Sequence, residues 1–174
     1  MSSSPTCSFD VLRPYARQTF QNRTKIRTPP GWQWLTVPVI KKERGTPLGE
    51  IEIDYSSKWI QDHLKGLRYN YETAPFYEHY IPSITDILSK EYVKLSDLIL
   101  KTTIWAIEAL KLPVEVEMKT VETLLLEPES PPVLEGPNYR QNFPGFESGM
   151  SILDALFNLG PAARDVLSMT QTSR

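Results

Sequence analysis

Five prolines, Pro128, Pro131, Pro132, Pro137 and Pro144, fall within a stretch of 17 residues that also holds Glu129 and Glu135, with Glu127 just before it. Such a stretch cannot continue a helix, because each ring removes a donor and crowds the preceding turn. Nor can it be a central strand, whose ladder needs every N–H. The chain therefore divides into a main body, an extended Pro-rich connector over 127–149, and a C-terminal helical element over 150–174. The chain as a whole holds 15 prolines in 174 residues, against a usual share of about 5%. Its helices and strands must fit between these breaks.

Residues 15–28 alternate loosely and predict a strand or extended loop, reversed by the turn Thr28-Pro-Pro-Gly31. Trp34–Ile40 predicts a largely apolar strand, with Pro38 confining its second half to an edge or bulge. Leu48, Ile51 and Ile53 predict a second short strand ending at Asp54. Ser56 or Ser57 suits the cap of a helix whose apolar face is Ile60, Leu64, Leu67 and Tyr71. Pro75 and Pro82 interrupt the next pattern, and Ser83-Ile-Thr-Asp86 has the form of a capping box opening a short helix. The longest helix is expected from about Val93 to Leu110, closed by Pro113. Val114, Val116 and Met118 alternate with Glu115 and Glu117 as a strand does. Ser151-Ile-Leu-Asp154 is a second capping box, opening a helix over Ile152–Leu159 that Gly160 stops, and Pro161 suits the start of a last helix. The expected class is α/β: one helix-rich domain over 9–174 with a small mixed sheet, behind a disordered tail over 1–8.

A net charge of −2 argues against a nucleic-acid partner, which calls for a strong basic excess. Any anion site must therefore be local. The apolar runs are too short for membrane insertion, and the serine-rich start has neither the basic nor the apolar part of a secretory signal. The lone Cys7 excludes an internal disulfide and a cysteine metal cage. These features together predict a cytoplasmic protein. His63 and His79 are the only histidines, and neither stands at metal-ligand spacing. There is no Gly-rich phosphate loop, no nucleophile elbow and no paired cysteines, so neither a cofactor nor a metal is expected.

The candidate chemistry begins at Asn22, Arg23, Lys25 and Arg27. Extended, the segment puts its three cations on one face and Asn22 on the other. Either an anion sits among them or they form the solvated, charged edge of a strand. His63 is a candidate general base, with a structural histidine as the plainer alternative. Trp59, Tyr69, Tyr71, Phe76, Tyr77 and Tyr80 are dense enough for a sugar or base platform, though such density usually means core. Arg140, in the loop Tyr139-Arg-Gln-Asn-Phe143, adds a cation where binding groups are often carried.

Several stretches, in order, resemble the WbqC-like family: Gln21-Asn-Arg-Thr-Lys-Ile26, Gly31-Trp-Gln-Trp-Leu-Thr-Val-Pro38, Ile51-Glu-Ile-Asp54 with Trp59 and His63, Tyr69-Asn-Tyr-Glu-Thr-Ala-Pro-Phe76, and Met150-Ser-Ile-Leu-Asp-Ala-Leu-Phe-Asn-Leu-Gly-Pro161. They span Phe9 to Val166, and the loop over 139–146 is similar to that of shorter members from Bacteroidetes-type bacteria. The resemblance implies a bacterial protein of O-antigen or other surface-polysaccharide biosynthesis. It implies a transferase moving glycine or a similar acyl group onto a sugar. Its partners would be an anionic small-molecule donor, bearing a nucleotide or phosphate group, and a sugar acceptor. By the same resemblance Asn22, Arg23, Lys25, His63, Tyr71, Asp154 and Asn158 fall on recurrent polar positions; His63 and Asp154 are the catalytic candidates, and the others, with Arg140 from its loop, the substrate-binding ones. Asp154 and Asn158 also have plain roles at helix ends. Family members usually begin with an apolar strand leading to a Pro-x-Tyr-Leu-Pro-Trp-like segment, which this start lacks. The expectation is a late-assigned start or a truncated copy, with uncovered apolar surface and self-association. A non-catalytic binding or scaffold protein is the alternative to the transferase.

Overall fold

The computed structural model of the chain describes residues 6–119 and 138–169. The section of the expected connector over 127–137, with four of its five prolines, lies outside the described residues. In chain order come β1 (Thr6–Asp10), β2 (Arg23–Thr28), β3 (Gly31–Thr36), α1 (Trp59–Tyr71), α2 (Tyr77–Leu88), α3 (Leu95–Ala109), β4 (Glu115–Lys119), α4 (Ile152–Leu159) and α5 (Ala163–Met169). The protein is α/β and helix-rich. Its strands form two pairs, an antiparallel β2–β3 hairpin and a parallel β1–β4 pair. Residues 6–8, expected in the N-terminal tail, belong to β1, which aligns Cys7 with Val116 and Phe9 with Met118.

The hairpin turns at Thr28-Pro-Pro-Gly31, setting Arg23 opposite Thr36, Lys25 opposite Trp34 and Arg27 opposite Trp32. β3 stops at Thr36, short of the expected Ile40, because Pro38 has no N–H to continue a ladder. Past that point single contacts replace a strand: Ile40 N donates to Glu52 O and Asp54 N to Pro38 O. The expected strand over Leu48–Asp54 is instead a 3-10 turn at Leu48–Glu50 followed by isolated bridges.

α1 starts after Lys58 without a side-chain cap, and Ser56 is instead turned by Asp54. Its buried stripe is Trp59, His63, Leu67, Asn70 and Tyr71, so the helix is rotated from the expected face and brings His63 inward. α2 runs through Pro82 rather than breaking there. The ring is exposed, and so is Glu78 one turn earlier, so water can satisfy the carbonyl left without its donor. Ser83 therefore caps nothing. Its hydroxyl accepts from Trp105 Nε1 at 2.9 Å and donates to Tyr80 O, pinning α3 to α2.

Two apolar clusters result. One gathers Ile26, Leu35, Leu67, Tyr71, Tyr77 and Phe157, and the other Leu48, Ile51, Trp59, Ile87 and Leu95. Leu88 and Trp105 pack against both. Each fully buried side chain of this size contributes about 1.5–3 kcal/mol. Among the described residues no helix is long and apolar enough to cross a membrane.

Candidate functional site

A buried carboxylate organises the C-terminal segment. Asp154 is 0% exposed and accepts three hydrogen bonds: Tyr71 OH to Oδ1 at 2.7 Å, Tyr139 OH to Oδ2 at 2.5 Å and Gln141 Nε2 to Oδ2 at 3.0 Å. Burial raises its pKa; the three donors and the Arg27 charge oppose that shift. Burial, then the Asp154 charge, pushes both tyrosine hydroxyls well above their usual range. Tyr71 OH in turn accepts from Arg27 N at 2.8 Å, and the Arg27 guanidinium donates to the carbonyls of Thr28, Gly31 (2.6 Å) and Pro144 (2.7 Å). Gln141 is braced on Glu147 through both N–H and C=O. The hairpin turn, α1, the loop over 138–150 and α4 thus meet on one set of polar groups.

The capping box expected at Ser151 is half formed. Ser151 Oγ accepts from Leu153 N at 3.0 Å, but the Asp154 side chain does not return the bond. Ser151 N already donates to Lys25 O at 2.9 Å, which frees the carboxylate to turn inward. Asn158 sits one turn on, its Nδ2 donating to Asp154 O at 2.8 Å, a helix-bracing contact.

A second constellation lines a cavity of about 430 Å3 between the hairpin, α1, α2, α3 and the start of α4. Asn22, Arg23 and His63 all lie on its wall. His63, 8% exposed, packs edge-on to Trp59 and places Nε2 3.0 Å from Thr36 O. A carbonyl only accepts, so Nε2 carries the proton and Nδ1 is the bare nitrogen. Burial lowers the His63 pKa, against the pull of Thr36 O and Asp62. The imidazole is therefore neutral at neutral pH. Asn22 Nδ2 donates to Val37 O at 3.1 Å, while Asn22 Oδ1 and Arg23 Nε are buried without a hydrogen-bond partner among the described residues.

The sequence candidates are thus sorted into two sites. Asn22, Arg23 and His63 share the cavity, whereas Tyr71 and Asp154 share the buried cluster, with Asn158 on its helix. His63 and Asp154 share no hydrogen bond. The three cations do occupy one face of β2, but tryptophans interleave them. Arg23 lies 4.0 Å over Trp34, and Lys25 lies 4.3 Å from Trp32 and 5.3 Å from Trp34. Such contacts are worth about 0.5–2 kcal/mol and hold the charges apart without an anion. Arg140 is exposed, while its neighbours Tyr139 and Gln141 turn inward to Asp154. The polar cluster's use of Tyr139, Gln141 and Arg27 was missed; alternation through Tyr139-Arg-Gln141 was the available signal. Among the described residues no group of three or more His, Cys, Asp or Glu side chains is placed to hold a metal.

The family model described as "WbqC-like protein family" matches residues 8–129 and 133–166 of the chain. The uncharacterised protein Rv1507c of Mycobacterium tuberculosis is 25% identical over 193 aligned positions, covering 88% of this chain and 83% of its own length. No solved structure matches.

Proposed function

Because this chain belongs to the WbqC-like protein family, we propose that it is a transferase of surface-polysaccharide biosynthesis, passing an aminoacyl or similar acyl group to a sugar in the cytoplasm. The observation that supports this reading is a neutral imidazole on a cavity wall, with its protonated nitrogen tied to Thr36 O. His63 Nδ1 takes the proton from a sugar hydroxyl or amine as that atom bonds to the donor's carbonyl carbon. The bond from that carbon to the leaving group breaks, and the leaving group departs with the electron pair and collects the proton from His63. Such base catalysis contributes about 10²–10⁴-fold. Asn22, on the cavity wall with His63, holds the polar part of the substrate. Asp154 is a positioning residue in this scheme: its three donors are all structural, and it holds the segment that carries Ser151 to the cavity.

The test uses the purified chain, an activated aminoacyl donor and a sugar acceptor. His63→Ala should lower transfer about 100-fold or more with the circular dichroism spectrum retained. Transfer at the wild-type rate by that variant would remove the base from the scheme. A second reading, a binding protein without turnover, is favoured by one observation: among the described residues no carboxylate lines the cavity to orient or recharge His63. That reading expects tight ligand binding and no product.

A further inference from the structure

We infer that the outward face of the β2–β3 hairpin docks the protein on an anionic lipid surface, with aromatic rings at headgroup depth and cations on the phosphates. This goes beyond the proposed transfer reaction and does not depend on it. Four observations carry it.

The first is the distribution of charge. The 32 residues from Val11 to Lys42 hold seven Lys and Arg and no Asp or Glu, although the whole chain carries a net charge of −2. A local excess of this kind inside an acidic chain points to a polyanionic partner. Arg17 Nη2 donates to Lys42 O, so the two ends of the segment meet. The second is the direction of the hairpin. Residues directly opposite each other on paired strands share a side, so Arg23, Lys25, Trp34 and Thr36 point away from Ile26 and Leu35, which enter the core. On that outward side Trp32 is 44% exposed, and Phe20, from the loop before β2, is 51% exposed. Rings this open add little to folding and are free to be covered.

The third is that the cations lack counter-charges. No ion pair joins Arg17, Arg23 or Lys25 to a carboxylate among the described residues. Glu147 comes near the hairpin at its turn, beside Gly31, and pairs with neither strand cation. Arg17 is exposed and acts together with Arg23 on the Tyr15 hydroxyl, so it extends the same patch. Arg27 does not join them, because its guanidinium is spent on three carbonyls. The fourth is the arrangement of the rings, which selects among polyanions. Phe20 and Trp34 meet edge-on at 5.4 Å and 62°, and Trp32 and Trp34 at 5.5 Å and 77°. Arg23 lies over the Trp34 ring and Lys25 over that of Trp32. Nucleic-acid bases stack on open aromatic faces, and this cluster offers no flat row of them. A headgroup layer needs none. It takes tryptophan as an amphipathic ring, and Lys and Arg as charged tips on apolar stems. The contact is peripheral, since no helix among the described residues is long and apolar enough to cross a membrane.

The test is flotation of the full chain with phosphatidylcholine vesicles, and with vesicles in which about a third of the lipid is anionic phosphatidylglycerol. The anionic vesicles should carry the protein and the neutral ones should not, and added salt should weaken the binding. Lys25→Gln should lower partitioning about fivefold, whereas Lys101→Gln, at an exposed cation of α3, should leave it unchanged. Trp32→Ala keeps every charge and should lower partitioning about tenfold. Phe20→Ser serves as the aromatic variant if the Trp32 variant does not fold. Equal binding to neutral vesicles, no binding to anionic ones, equal losses in the Lys25 and Lys101 variants, or full binding by the aromatic variant would overturn the inference. So would displacement of the protein from anionic vesicles by a single-stranded oligonucleotide or by polygalacturonate at lower concentration than the lipid.

Discussion

Tyr71→Phe removes one oxygen from the middle of the polar cluster and little else. The ring is 0% exposed and sits 5.0 Å from Phe157, so the phenylalanine keeps the burial and the stacking. The hydroxyl, however, receives Arg27 N–H and donates to Asp154 Oδ1. Its loss strands a buried backbone donor, at about 1–3 kcal/mol, and takes from a carboxylate a bond worth about 1.5–3 kcal/mol. The hydroxyl no longer has to be desolvated, which offsets part of this, and a net loss of about 2–4 kcal/mol is expected. For a chain of this length, about 3 kcal/mol lowers Tm by roughly 6–12 °C. Urea denaturation followed by circular dichroism reads the loss directly, as a lower midpoint with an unchanged slope. Acid offers a second check. Asp154 has a folded pKa above its ordinary value, so the folded state takes up the proton first and gains stability relative to the unfolded chain as pH falls through the raised pKa. The part of the variant's deficit owed to the carboxylate should therefore shrink on acidification, while the Arg27 N–H part persists. A loss below about 0.5 kcal/mol at neutral pH, within the range of an ordinary surface substitution, would refute the reasoning.

His63 carries the opposite sign: its folded pKa lies below the ordinary value of 6.5, so the unfolded state binds the proton first. Its contribution to stability is complete above that pH and is lost as pH falls towards the folded pKa, with a slope approaching about 1.4 kcal/mol per unit; His63→Gln should flatten the Tm–pH profile there. Gly160→Ala should cost about 2–4 kcal/mol in the same urea assay. Gly160 holds φ +59°, and an added Cβ would stand 2.6 Å from the Phe76 ring, so strain and overpacking add.

Where local chemistry decides the structure, the sequence was a good guide. The Pro-Pro-Gly turn, α3 bounded by Pro113, the alternating Glu and apolar residues of β4, and α4 between Ser151 and Gly160 all follow from neighbours within a few positions. Pro82 misled because its ring and Glu78, which carries the orphaned carbonyl, are exposed to water, and exposure is not written in the local pattern. α1 was correctly a helix but turned, since packing on Ile26 and Leu35 chose His63 over Leu64 as its inner face. Asp154 shows the limit most clearly. Read locally it completes a capping box, but Lys25 O takes the Ser151 N–H and the carboxylate bonds Tyr71, a partner far away in the chain. Tyr139 and Gln141 were overlooked for the same reason, while the more conspicuous Arg140 lies at the surface.

The parallel β1–β4 pair has a consequence for the order of folding. Joining Cys7 to Val116 closes a loop containing β2, β3 and all of α1 to α3, whereas the hairpin closes over two prolines. Chain-closure entropy alone makes the longer loop about 3 kcal/mol more costly. The hairpin and its helices can therefore assemble first, and the parallel pair forms only once they have brought its two strands together. In the reverse direction the same pair should be the first to part, its backbone amides exchanging with solvent at a lower opening free energy than those of the hairpin in a native-state hydrogen-exchange experiment. A short two-stranded ladder of this kind acts as a clasp on a body that has already folded, and β1 is the end that lifts.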